Sequence, residues 1–463
     1  MSQFVQIEKP IEIETAPTEE ALSTVNLTSQ QMQQLRQEYL KRHPVVVVGG
    51  ARTPFVKAGG VYKDYGQLDL AIHSVQAALK RSELKESQIE EVVYGAVILD
   101  PHYLNLAREI VLRSDCLPST IPAHFVSNNC ITSLVAIDKL ANDIALGKVR
   151  AGIAGGVESL SNPTLTFSRK AQKFFLELAR AKSFKEKLRI LKRWRPRFAF
   201  PAAVSAKEPS TGLTMGEHCE LTAQELRIPR YPQDLYALWS HKKAAKAQEE
   251  GAFSEVEPFG GVEKDNLIRG DTSMDKLLRL KPVFDRESGR GTLTAGNSSP
   301  LTDGASAVCL MSEREASKRD KEILGYVAGV EFAAVDPSDG LLQAPVVALP
   351  KLLSRFGLGV GDIDLFEVHE AFAAQVLANQ IMWERGWEKY GVSPIGRIPD
   401  EKLNVNGGSL ALGHPFAATG ARLLLNLVQE LKRRDLNFGV ISVCAAGAMA
   451  CAMLVTRERP KWE

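Results

Sequence analysis

The chain has 463 residues, of which 44% are hydrophobic and 24% are charged, and its formal net charge is only +2. This length allows two or three hydrophobic cores, and the composition is ordinary for a soluble globular enzyme. The small net charge argues against nucleic-acid binding by the whole chain, and no apolar run approaches the roughly 20 residues that a transmembrane helix needs.

Residues 1–43 are predicted to form an N-terminal tail. Residues 1–25 are polar and acidic, and Ser29 is placed to cap a short helix that carries Met32 on its apolar face. The tail lacks both the apolar centre of a secretory signal and the arginine-rich composition of a mitochondrial transit peptide. Six cysteines without a CxxC pair fit a reducing compartment. We therefore expect a cytoplasmic protein whose compact part begins at Pro44.

An internal repeat predicts two similar halves. A buried strand from Val45 opens the first half, and the run 323–329 opens the second. Segment 84–97 parallels segment 358–371, because each passes from a helix end through an Ile–acid turn into an apolar strand. Alternating strands and helices predict layered α/β sheets. Two similar halves also predict a pseudo-two-fold axis with functional residues meeting at its centre.

The later elements repeat as well. Amphipathic helices are predicted at 134–146 and 421–431, and strands follow them at 151–156 and 438–444.

The irregular, proline-rich stretch 163–291 is predicted to be a loop domain inserted into the first half. The first half then comprises 44–162 and 292–314, and the second half comprises 315–463.

Segment 169–198 of the loop domain is strongly basic. Between Arg169 and Arg197, twelve lysines and arginines stand against two glutamates. Phe174 and Leu188 belong to two separate apolar helical faces, which is typical of paired helices lying on an anionic membrane surface. The alternative is a solvated cover over a binding tunnel, and a nucleic-acid role is not expected.

Two residues have the setting of a nucleophile and its base. Cys130 precedes a predicted helix, where unpaired N–H groups and the helix dipole lower the pKa of a thiol. His414 lies in a glycine-rich loop and is followed by Pro415, which is expected to start a helix, so it could deprotonate a cysteine. The alternatives are an inert buried cysteine and a histidine that merely caps its loop.

Two further residues stand at predicted strand ends. Cys444 precedes a run of small residues, which suits either a second reactive thiol or close packing. His369 follows an apolar strand and could hold an oxyanion or a water, although a satisfied core histidine is the common alternative. The four residues could in principle bind zinc, but their wide separation argues against a metal site. The sequence also has no Walker loop, and no GxGxxG follows a strand.

The whole pattern resembles the thiolase family over residues 44–457. The matching blocks are 51–55, 127–133, 155–162, 294–299, 369–372, 407–415 and Cys444. His-Glu-Ala-Phe at 369–372 replaces the usual Asn-Glu-Ala-Phe. This variant and the basic insert are similar to 3-ketoacyl-CoA thiolases that are β-subunits of fatty-acid β-oxidation (trifunctional) complexes, and to their bacterial relatives.

The resemblance implies the thiolase fold, with two similar α/β halves in a five-layer αβαβα arrangement and an inserted loop domain. It implies a degradative 3-ketoacyl-CoA thiolase that forms acetyl-CoA and a shortened acyl-CoA. The alternatives are a biosynthetic acetoacetyl-CoA thiolase, a decarboxylating ketoacyl synthase, and an inactive homologue that binds lipid or a partner. The resemblance further implies no metal or organic cofactor, since CoA is a substrate. It also suggests a homodimer, or a complex with a hydratase/dehydrogenase subunit.

Residue roles follow from the same resemblance. Cys130 would be the acylated nucleophile, and His414 would activate it and help hold the thioester oxygen. Cys444 would protonate the departing acetyl-CoA enolate and then deprotonate the incoming CoA. His369 would replace the asparagine that helps bind an oxyanion water.

The resemblance also assigns the substrate contacts. The backbone N–H groups of Cys130 and Ala446 would form a second oxyanion hole. Ser299 would contact CoA, and Met215 would lie near the acyl site.

One departure from the family concerns the residues after Cys444. Ala448 and Ala450 stand where the family has glycines. If these positions need a positive φ, each alanine costs on the order of 1 kcal/mol. We therefore expect the loop around Cys444 to be strained or displaced.

Overall fold

The computed structural model describes residues 44–203 and 207–460. The predicted tail 1–43, with its helix capped by Ser29, lies outside these residues. The strands are β1 (Val45–Arg52), β2 (Val56–Lys57), β3 (Glu91–Gly95), β4 (Ala123–Val126), β5 (Ala151–Glu158), β6 (Leu165–Thr166), β7 (Ala202–Ala203), β8 (Thr302–Ser312), β9 (Gly325–Ala334), β10 (Leu365–Val368), β11 (Phe438–Ala445) and β12 (Met449–Thr456).

The helices are α1 (Gln67–Ser82), α2 (Leu106–Arg113), α3 (Thr132–Ala145), α4 (Arg169–Arg180), α5 (Phe184–Leu191), α6 (Met215–Glu225), α7 (Arg230–Glu249), α8 (Met274–Leu278), α9 (Glu313–Lys318), α10 (Pro345–Phe356), α11 (Ala373–Arg385), α12 (Ser409–Leu412) and α13 (Thr419–Arg434). Short 3-10 turns occur at Glu86–Gln88, Pro196–Ala199, Pro337–Asp339, Val360–Asp362, Glu388–Tyr390 and Phe416–Ala418.

The two halves repeat one strand arrangement. In the first half β3 runs parallel to β5, β5 antiparallel to β8, and β8 antiparallel to β1. In the second half β10, β11, β12 and β9 stand in the same order with the same relative directions. The 3-10 turns Glu86–Gln88 and Val360–Asp362 precede β3 and β10, at equivalent points of the two halves. The repeat predicted from the sequence is therefore confirmed.

The two halves share one hydrogen-bonded sheet. Strands β1 and β9 pair antiparallel, with Val46 opposite Tyr326 and Val47 opposite Gly325. The sheet order is thus β10-β11-β12-β9-β1-β8-β5-β3-β4. The sequence did not predict this seam, because a pairing over two residue positions leaves no mark on the hydrophobic pattern of either strand.

The helices complete five layers. Helices α1 and α2 cover one outer face of the sheet, α10 covers the other with α11 packed against it, and α3 and α13 lie between the two halves. The central pair approaches closely, since Ser133 Oγ accepts a hydrogen bond from the Ala421 N–H at 2.9 Å. A Cβ on Gly420 would lie 2.6 Å from Leu134 Cγ, so only glycine fits there. This contact lies at the centre of the molecule, between the residues of the predicted site.

Local sequence explains the two central helices. Helix α3 buries Leu134, Ile137 and Leu140 along one face, as expected for an apolar stripe at helical spacing. Helix α13 is buried over most of its length and ends at Asp435, which has a left-handed φ of 56°. Its last turn is basic, which is favourable beside the negative end of the helix dipole.

A buried ion-pair network attaches the loop domain to the first half. Arg52, at the end of β1, donates to Asp265 Oδ1 and Oδ2 at 2.7 and 2.8 Å and to Glu255 Oε1 at 2.8 Å. All three side chains are buried. Because the pairing is bidentate and the remaining charge is also paired, the network fixes the position of segment 255–265 against the sheet.

The basic insert forms a small core of its own. Helices α4 and α5 bury Phe174, Ile190 and Phe198, and the Phe174 ring lies 5.5 Å from that of Trp194. Large apolar side chains remain outside this core and are exposed, among them Phe184, Leu188 and Leu191, and Trp194 is partly exposed at its edge. The two predicted faces therefore differ, because Phe174 packs inward whereas Leu188 faces outward. No helix in the described part of the chain is long and apolar enough to span a bilayer.

Candidate active site

Cys130 lies in a tight turn between β4 and α3. Asn129 has a φ of 49°, a left-handed conformation that asparagine adopts more readily than most residues. Thr132 Oγ1 accepts from the Asn128 N–H at 2.8 Å and donates to the Asn129 carbonyl at 2.7 Å. The turn thus holds the thiol two residues before α3 begins, at the helix N-terminus that the sequence predicted.

The charge state of Cys130 differs from the expectation. Burial raises the pKa of the thiol to about 12, and Glu158 acts in the same direction. The backbone N–H groups of Ala446 and Cys130 lower the pKa but do not reverse it. The predicted lowered pKa is therefore wrong, because desolvation outweighs the helix N-terminus. The resting thiol is neutral and needs a base before it can attack.

His414 is placed to be that base. Its Nε2 atom lies 3.1 Å from Cys130 Sγ, and its Nδ1 lies 2.7 Å from Thr419 Oγ1. The Thr419 hydroxyl also donates to the Pro415 carbonyl at 3.2 Å. With that proton engaged, the Thr419 oxygen accepts from the His414 Nδ1–H, which leaves Nε2 as an acceptor facing the thiol. Burial lowers the pKa of His414 to about 3, with a further contribution from Arg422, so the imidazole is neutral.

The loop that carries His414 depends on glycine. Gly413 has a φ of 97°, and a Cβ there would lie 2.4 Å from Thr302 Oγ1. The same Thr302 oxygen accepts from the His414 N–H at 3.0 Å. The helix does not start at Pro415 as expected, because a 3-10 turn intervenes and α13 begins at Thr419.

His369 directly follows β10 and faces His414. The centroids of the two rings are 4.1 Å apart, and a ring nitrogen of each lies within 4.8 Å of Cys130 Sγ. The His369 N–H donates to the Ser442 carbonyl at 2.8 Å. Burial, His414 and Arg422 together lower the pKa of His369. The structure therefore places two neutral imidazoles beside one neutral thiol.

Cys444 occupies the penultimate position of β11 and is buried. It packs in an apolar cluster with Cys219 and Phe372, and Met215 at the start of α6 packs against the same cluster. Burial raises the pKa of Cys444, and Cys130 and Cys219 add to the shift. The two sulfurs of Cys130 and Cys444 are therefore close enough to interact electrostatically. A neutral thiol at Cys444 suits a proton donor.

The backbone N–H groups of Cys130 and Ala446 both face the Cys130 sulfur. The loop after β11 is held in place by its neighbours. Asn129 Nδ2 donates to the Ala446 carbonyl at 3.0 Å, and the Gly447 N–H donates to Glu208 Oε2 at 2.9 Å. The predicted oxyanion-hole donors thus converge on the nucleophile.

The strain predicted for the loop exists at one alanine only. Ala448 has a left-handed φ of 56°, whereas Ala450 lies in β12 with ordinary strand geometry. Ala448 is nevertheless buried, and its carbonyl accepts from the Val335 N–H at 2.9 Å. The loop is therefore strained at one residue but not displaced, since Ala446 still reaches Cys130.

Ser299, the predicted CoA contact, lies beside the His-Glu-Ala-Phe run. Its N–H donates to the Ala371 carbonyl at 3.0 Å, and its side chain keeps some solvent exposure. Among the predicted site residues, Ser299 is the one for which no contact with the other six is described. Its role toward CoA stays a prediction.

Glu370 is a carboxylate at the site that was not predicted from the sequence, and it bonds to the segment just before His414. Glu370 accepts from Tyr236 Oη and Ser240 Oγ of helix α7, at 3.0 and 2.7 Å. It also accepts from Asn404 Nδ2 at 2.7 Å and from the Leu410 N–H at 3.2 Å. Glu370 thereby joins the loop domain to the loop that precedes His414. An acidic residue within an otherwise apolar strand end was the available signal.

Two polar residues near the histidines were also missed. Ser409 Oγ lies 3.0 Å from His369 Nδ1 and 2.9 Å from Arg422 Nη2. Arg422 is fully buried, and the sequence signal for it was an arginine inside the apolar part of α13.

Cys130, His369 and His414 could also form a metal site, because their donor types suit zinc. The expectation that no metal takes part therefore stays a prediction.

Comparison with known proteins identifies relatives over nearly the whole described chain. The family model for the N-terminal domain of thiolase matches residues 45–314, and the model for the C-terminal domain matches residues 321–457. A protein named 3-ketoacyl-CoA thiolase from Shewanella sediminis (strain HAW-EB3) is 40% identical over 427 residues, covering 89% of this chain and 97% of the relative. A protein of the same name from Escherichia coli (strain 55989 / EAEC) is 39% identical over 428 residues, with the same coverage.

Solved structures agree with this result. Human mitochondrial 3-ketoacyl-CoA thiolase in complex with CoA superimposes with a TM-score of 0.76 at 29% identity, covering 90% of this chain and 98% of that one. The acetyl-CoA acetyltransferase of Bacillus anthracis has a TM-score of 0.76 at 31% identity, covering 90% and 99%.

The strain at Ala448 can be measured with a pair of substitutions. Ala448→Gly relieves a left-handed alanine, worth about 1–2 kcal/mol, but loses a buried methyl and adds freedom to the unfolded chain, together a similar amount. The free energy of unfolding should therefore change by less than about 1 kcal/mol. Ala450→Gly also loses a buried methyl and adds freedom to the unfolded chain, but it relieves no left-handed alanine. It should therefore lower the free energy of unfolding by about 1–2 kcal/mol. Urea denaturation measures both, and equal losses would contradict a strained Ala448.

The neutral Cys130 thiol predicts its alkylation behaviour. Because the pKa of Cys130 is raised, the thiolate fraction and the iodoacetamide rate should climb about tenfold per pH unit from pH 7 to 9 without levelling off. Mass spectrometry of the Cys130 peptide measures the rate, and the Cys130→Ala chain gives the background from other thiols. A plateau with a midpoint between pH 6 and 8 would show a resting thiolate instead.

Proposed function

Because this chain belongs to the thiolase family, we propose that it is a degradative 3-ketoacyl-CoA thiolase. Such an acyltransferase cleaves a 3-ketoacyl-CoA with CoA and yields acetyl-CoA and an acyl-CoA two carbons shorter. The observation that carries the proposal is the contact of 3.1 Å between His414 Nε2 and Cys130 Sγ, with a second neutral thiol, Cys444, in electrostatic range. We place this activity in fatty-acid β-oxidation in the cytoplasm, on the basis of the family branch and the composition of the chain.

Acylation begins with proton transfer. His414 Nε2 takes the proton of Cys130 as the sulfur attacks C3 of the substrate. A charged thiolate therefore does not have to form before the attack. The attack moves negative charge onto the C3 oxygen. The N–H groups of Cys130 and Ala446 face the sulfur and would stabilise that oxygen.

Carbon–carbon cleavage then produces an enolate, whose oxygen must be stabilised and whose C2 must be protonated. When the C2–C3 bond breaks, its electron pair remains on C2 and is delocalised into the thioester oxygen as an enolate. His414, now protonated, and His369 each have a ring nitrogen within 4.8 Å of the Cys130 sulfur and would stabilise that oxygen. The Cys444 thiol gives its proton to C2, and acetyl-CoA leaves.

Deacylation reverses the proton movements. The Cys444 thiolate takes the proton of the incoming CoA thiol, which attacks the acyl-Cys130 carbonyl. The Cys130 sulfur leaves and recovers its proton from His414. The cycle therefore returns both thiols and the imidazole to the neutral forms that burial favours. We propose that no metal or organic cofactor takes part, since each step uses side chains or CoA as the substrate.

A biosynthetic acetoacetyl-CoA thiolase is the second candidate, because the similar structure from Bacillus anthracis is named an acetyl-CoA acetyltransferase. A decarboxylating ketoacyl synthase has no evident use for Cys444. An inactive homologue is disfavoured, because the loop at Ala448 leaves the Ala446 N–H facing Cys130.

We further propose that the chain acts as a homodimer or in complex with a hydratase/dehydrogenase subunit, on the basis of the family branch. The insert 169–198 is proposed to make peripheral membrane contact. Its exposed residues combine Phe184, 77% exposed, with Leu188 and Leu191, each 46% exposed. Lys170, Lys173, Lys192 and Arg197 line a surface cavity between α4 and the segment that follows α5. Cationic side chains beside apolar ones suit an anionic lipid surface.

The activity is tested by cleavage of 3-ketoacyl-CoAs from C4 to C16 in the presence of CoA. The wild-type chain should release acetyl-CoA from substrates longer than C4. Cys130→Ala should lower kcat by about 10³-fold or more because the nucleophile is lost. Cys444→Ala should lower it by about 10²- to 10⁴-fold because the proton donor is lost.

Cys116→Ala is the matched control, since Cys116 lies outside the site, and its turnover should equal that of the wild type. Prior treatment with EDTA should leave the rate unchanged. Cleavage restricted to C4 would favour the biosynthetic candidate, and wild-type turnover in Cys130→Ala would refute the mechanism.

Membrane contact is tested by flotation with liposomes. The full chain should float with vesicles that contain anionic lipid and remain at the bottom with neutral vesicles, because the insert combines positive charge with exposed apolar groups. Replacing Phe184, Leu188 and Leu191 by serine should abolish flotation while leaving 3-ketoacyl-CoA cleavage intact. Unchanged flotation of that variant would rule out docking through the insert.

A further inference from the structure

The two active-site histidines are held by different partners. His414 Nδ1 contacts Thr419 Oγ1 at 2.7 Å, and its Nε2 faces Cys130. His369 Nδ1 contacts Ser409 Oγ at 3.0 Å. The Nε2 atom of His369 is buried and has no hydrogen-bond partner among the described residues. It is therefore the nitrogen that the ring has available for a substrate.

The hydroxyl of Ser409 determines what His369 can do. Arg422 Nη2 lies 2.9 Å from Ser409 Oγ, and a guanidinium can only donate. The Ser409 oxygen consequently accepts from Arg422 and must direct its own proton elsewhere. His369 Nδ1 is the other partner described for this hydroxyl. A neutral imidazole that accepts at Nδ1 carries its proton on Nε2.

We propose that Arg422 and Ser409 are positioning residues that hold His369 as the Nε2–H tautomer, so that the ring presents an N–H donor to the oxygen on which the enolate charge develops. The inference rests on the proposed thiolase activity, and it assigns His414 and His369 opposite tautomers. His414 accepts a proton at Nε2, whereas His369 donates a hydrogen bond from Nε2. Two adjacent imidazoles thereby perform different tasks in the same reaction.

The surroundings of His369, which include Arg422, keep the imidazole neutral as well as oriented. Burial lowers the pKa of His369, and His414 and the Arg422 charge lower it further. A neutral imidazole N–H is a very weak acid, so it stabilises the enolate oxygen by hydrogen bonding without giving up its proton. The proton that quenches C2 then comes from Cys444, as the mechanism requires.

Arg422 is a buried cation that contacts both a carboxylate and the Ser409 hydroxyl. Arg422 is fully buried on α13, and the residues beside it in the chain, Ala421 and Leu423, are apolar. Its one close carboxylate is that of Glu367, with Nη1 3.6 Å from Oε2. Burying a guanidinium costs several kcal/mol, and the Glu367 contact and the Ser409 hydrogen bond offset that cost.

A double-mutant cycle separates positioning from structure. Ser409→Ala removes the hydroxyl that fixes the tautomer, and the kcat for 3-ketoacyl-CoA cleavage should fall by about 10²-fold, the usual effect of losing one oxyanion donor. In the His369→Asn background the amide N–H has no tautomer to fix. There Ser409→Ala should cost less than about 3-fold. Equal losses in both backgrounds would show that Ser409 merely supports the fold and would overturn the inference.

Nitrogen NMR of histidine side chains reads the tautomer without turnover. In the free native enzyme His369 should show a protonated Nε2 and an unprotonated Nδ1, and Ser409→Ala should abolish this preference. Ser306→Ala is the matched control, because the Ser306 hydroxyl is equally buried and has no hydrogen-bond partner within residues 44–203 and 207–460. That variant should leave both the spectrum and kcat unchanged. A protonated Nδ1 in the native enzyme would overturn the inference.

The two failures remain distinguishable. An enzyme that cleaves 3-ketoacyl-CoA but shows Nδ1–H at His369 refutes the tautomer assignment and leaves the proposed function standing. An enzyme that shows Nε2–H but cleaves none of the substrates refutes the proposed function.

Discussion

The site depends on desolvation of a thiol and an imidazole that are in hydrogen-bond contact. Burial raises the pKa of Cys130 and lowers that of His414, so both shifts favour the uncharged pair. Charge separation is unfavourable until a substrate carbonyl accepts electrons from the sulfur. The surroundings must therefore supply stabilisation where charge appears during the reaction. The N–H groups of Cys130 and Ala446 face the sulfur, and the proposed mechanism uses them for this purpose.

This requirement explains why the fold brings two halves together. Cys130 precedes α3 in the first half, whereas His414, His369 and Cys444 come from the second half. Close contact between α3 and α13, at Gly420 and Leu134, sets the distance between these groups. The pairing of β1 with β9 fixes the two halves of the sheet relative to each other. Small errors in packing between the halves would separate the base from the nucleophile.

The sequence predicted the parts of the site that are local and periodic. The helix after Cys130, the strand before His369 and the strand of Cys444 were predicted because hydrophobic spacing marks them, and the repeat indicated that these residues converge. The sign of the Cys130 pKa shift could not be predicted, because burial depends on contacts between distant segments. The roles of Glu370 and Arg422 were not predicted for a related reason. A partner of Glu370 lies in α7, and that of Arg422 lies in α12, just before His414. The strain at Ala448 but not at Ala450 required backbone angles.

Glu370 has a consequence for how such a protein can diverge. Its carboxylate takes hydrogen bonds from Tyr236 and Ser240 of α7, so α7 and the catalytic loop can change only together. The insert 169–198 has its own small core around Phe174 and Phe198. The loop domain thus contains one portion with a core of its own and another that is hydrogen-bonded to the site. A chimaera built from two relatives should exchange the insert alone and leave α7 with its native partner.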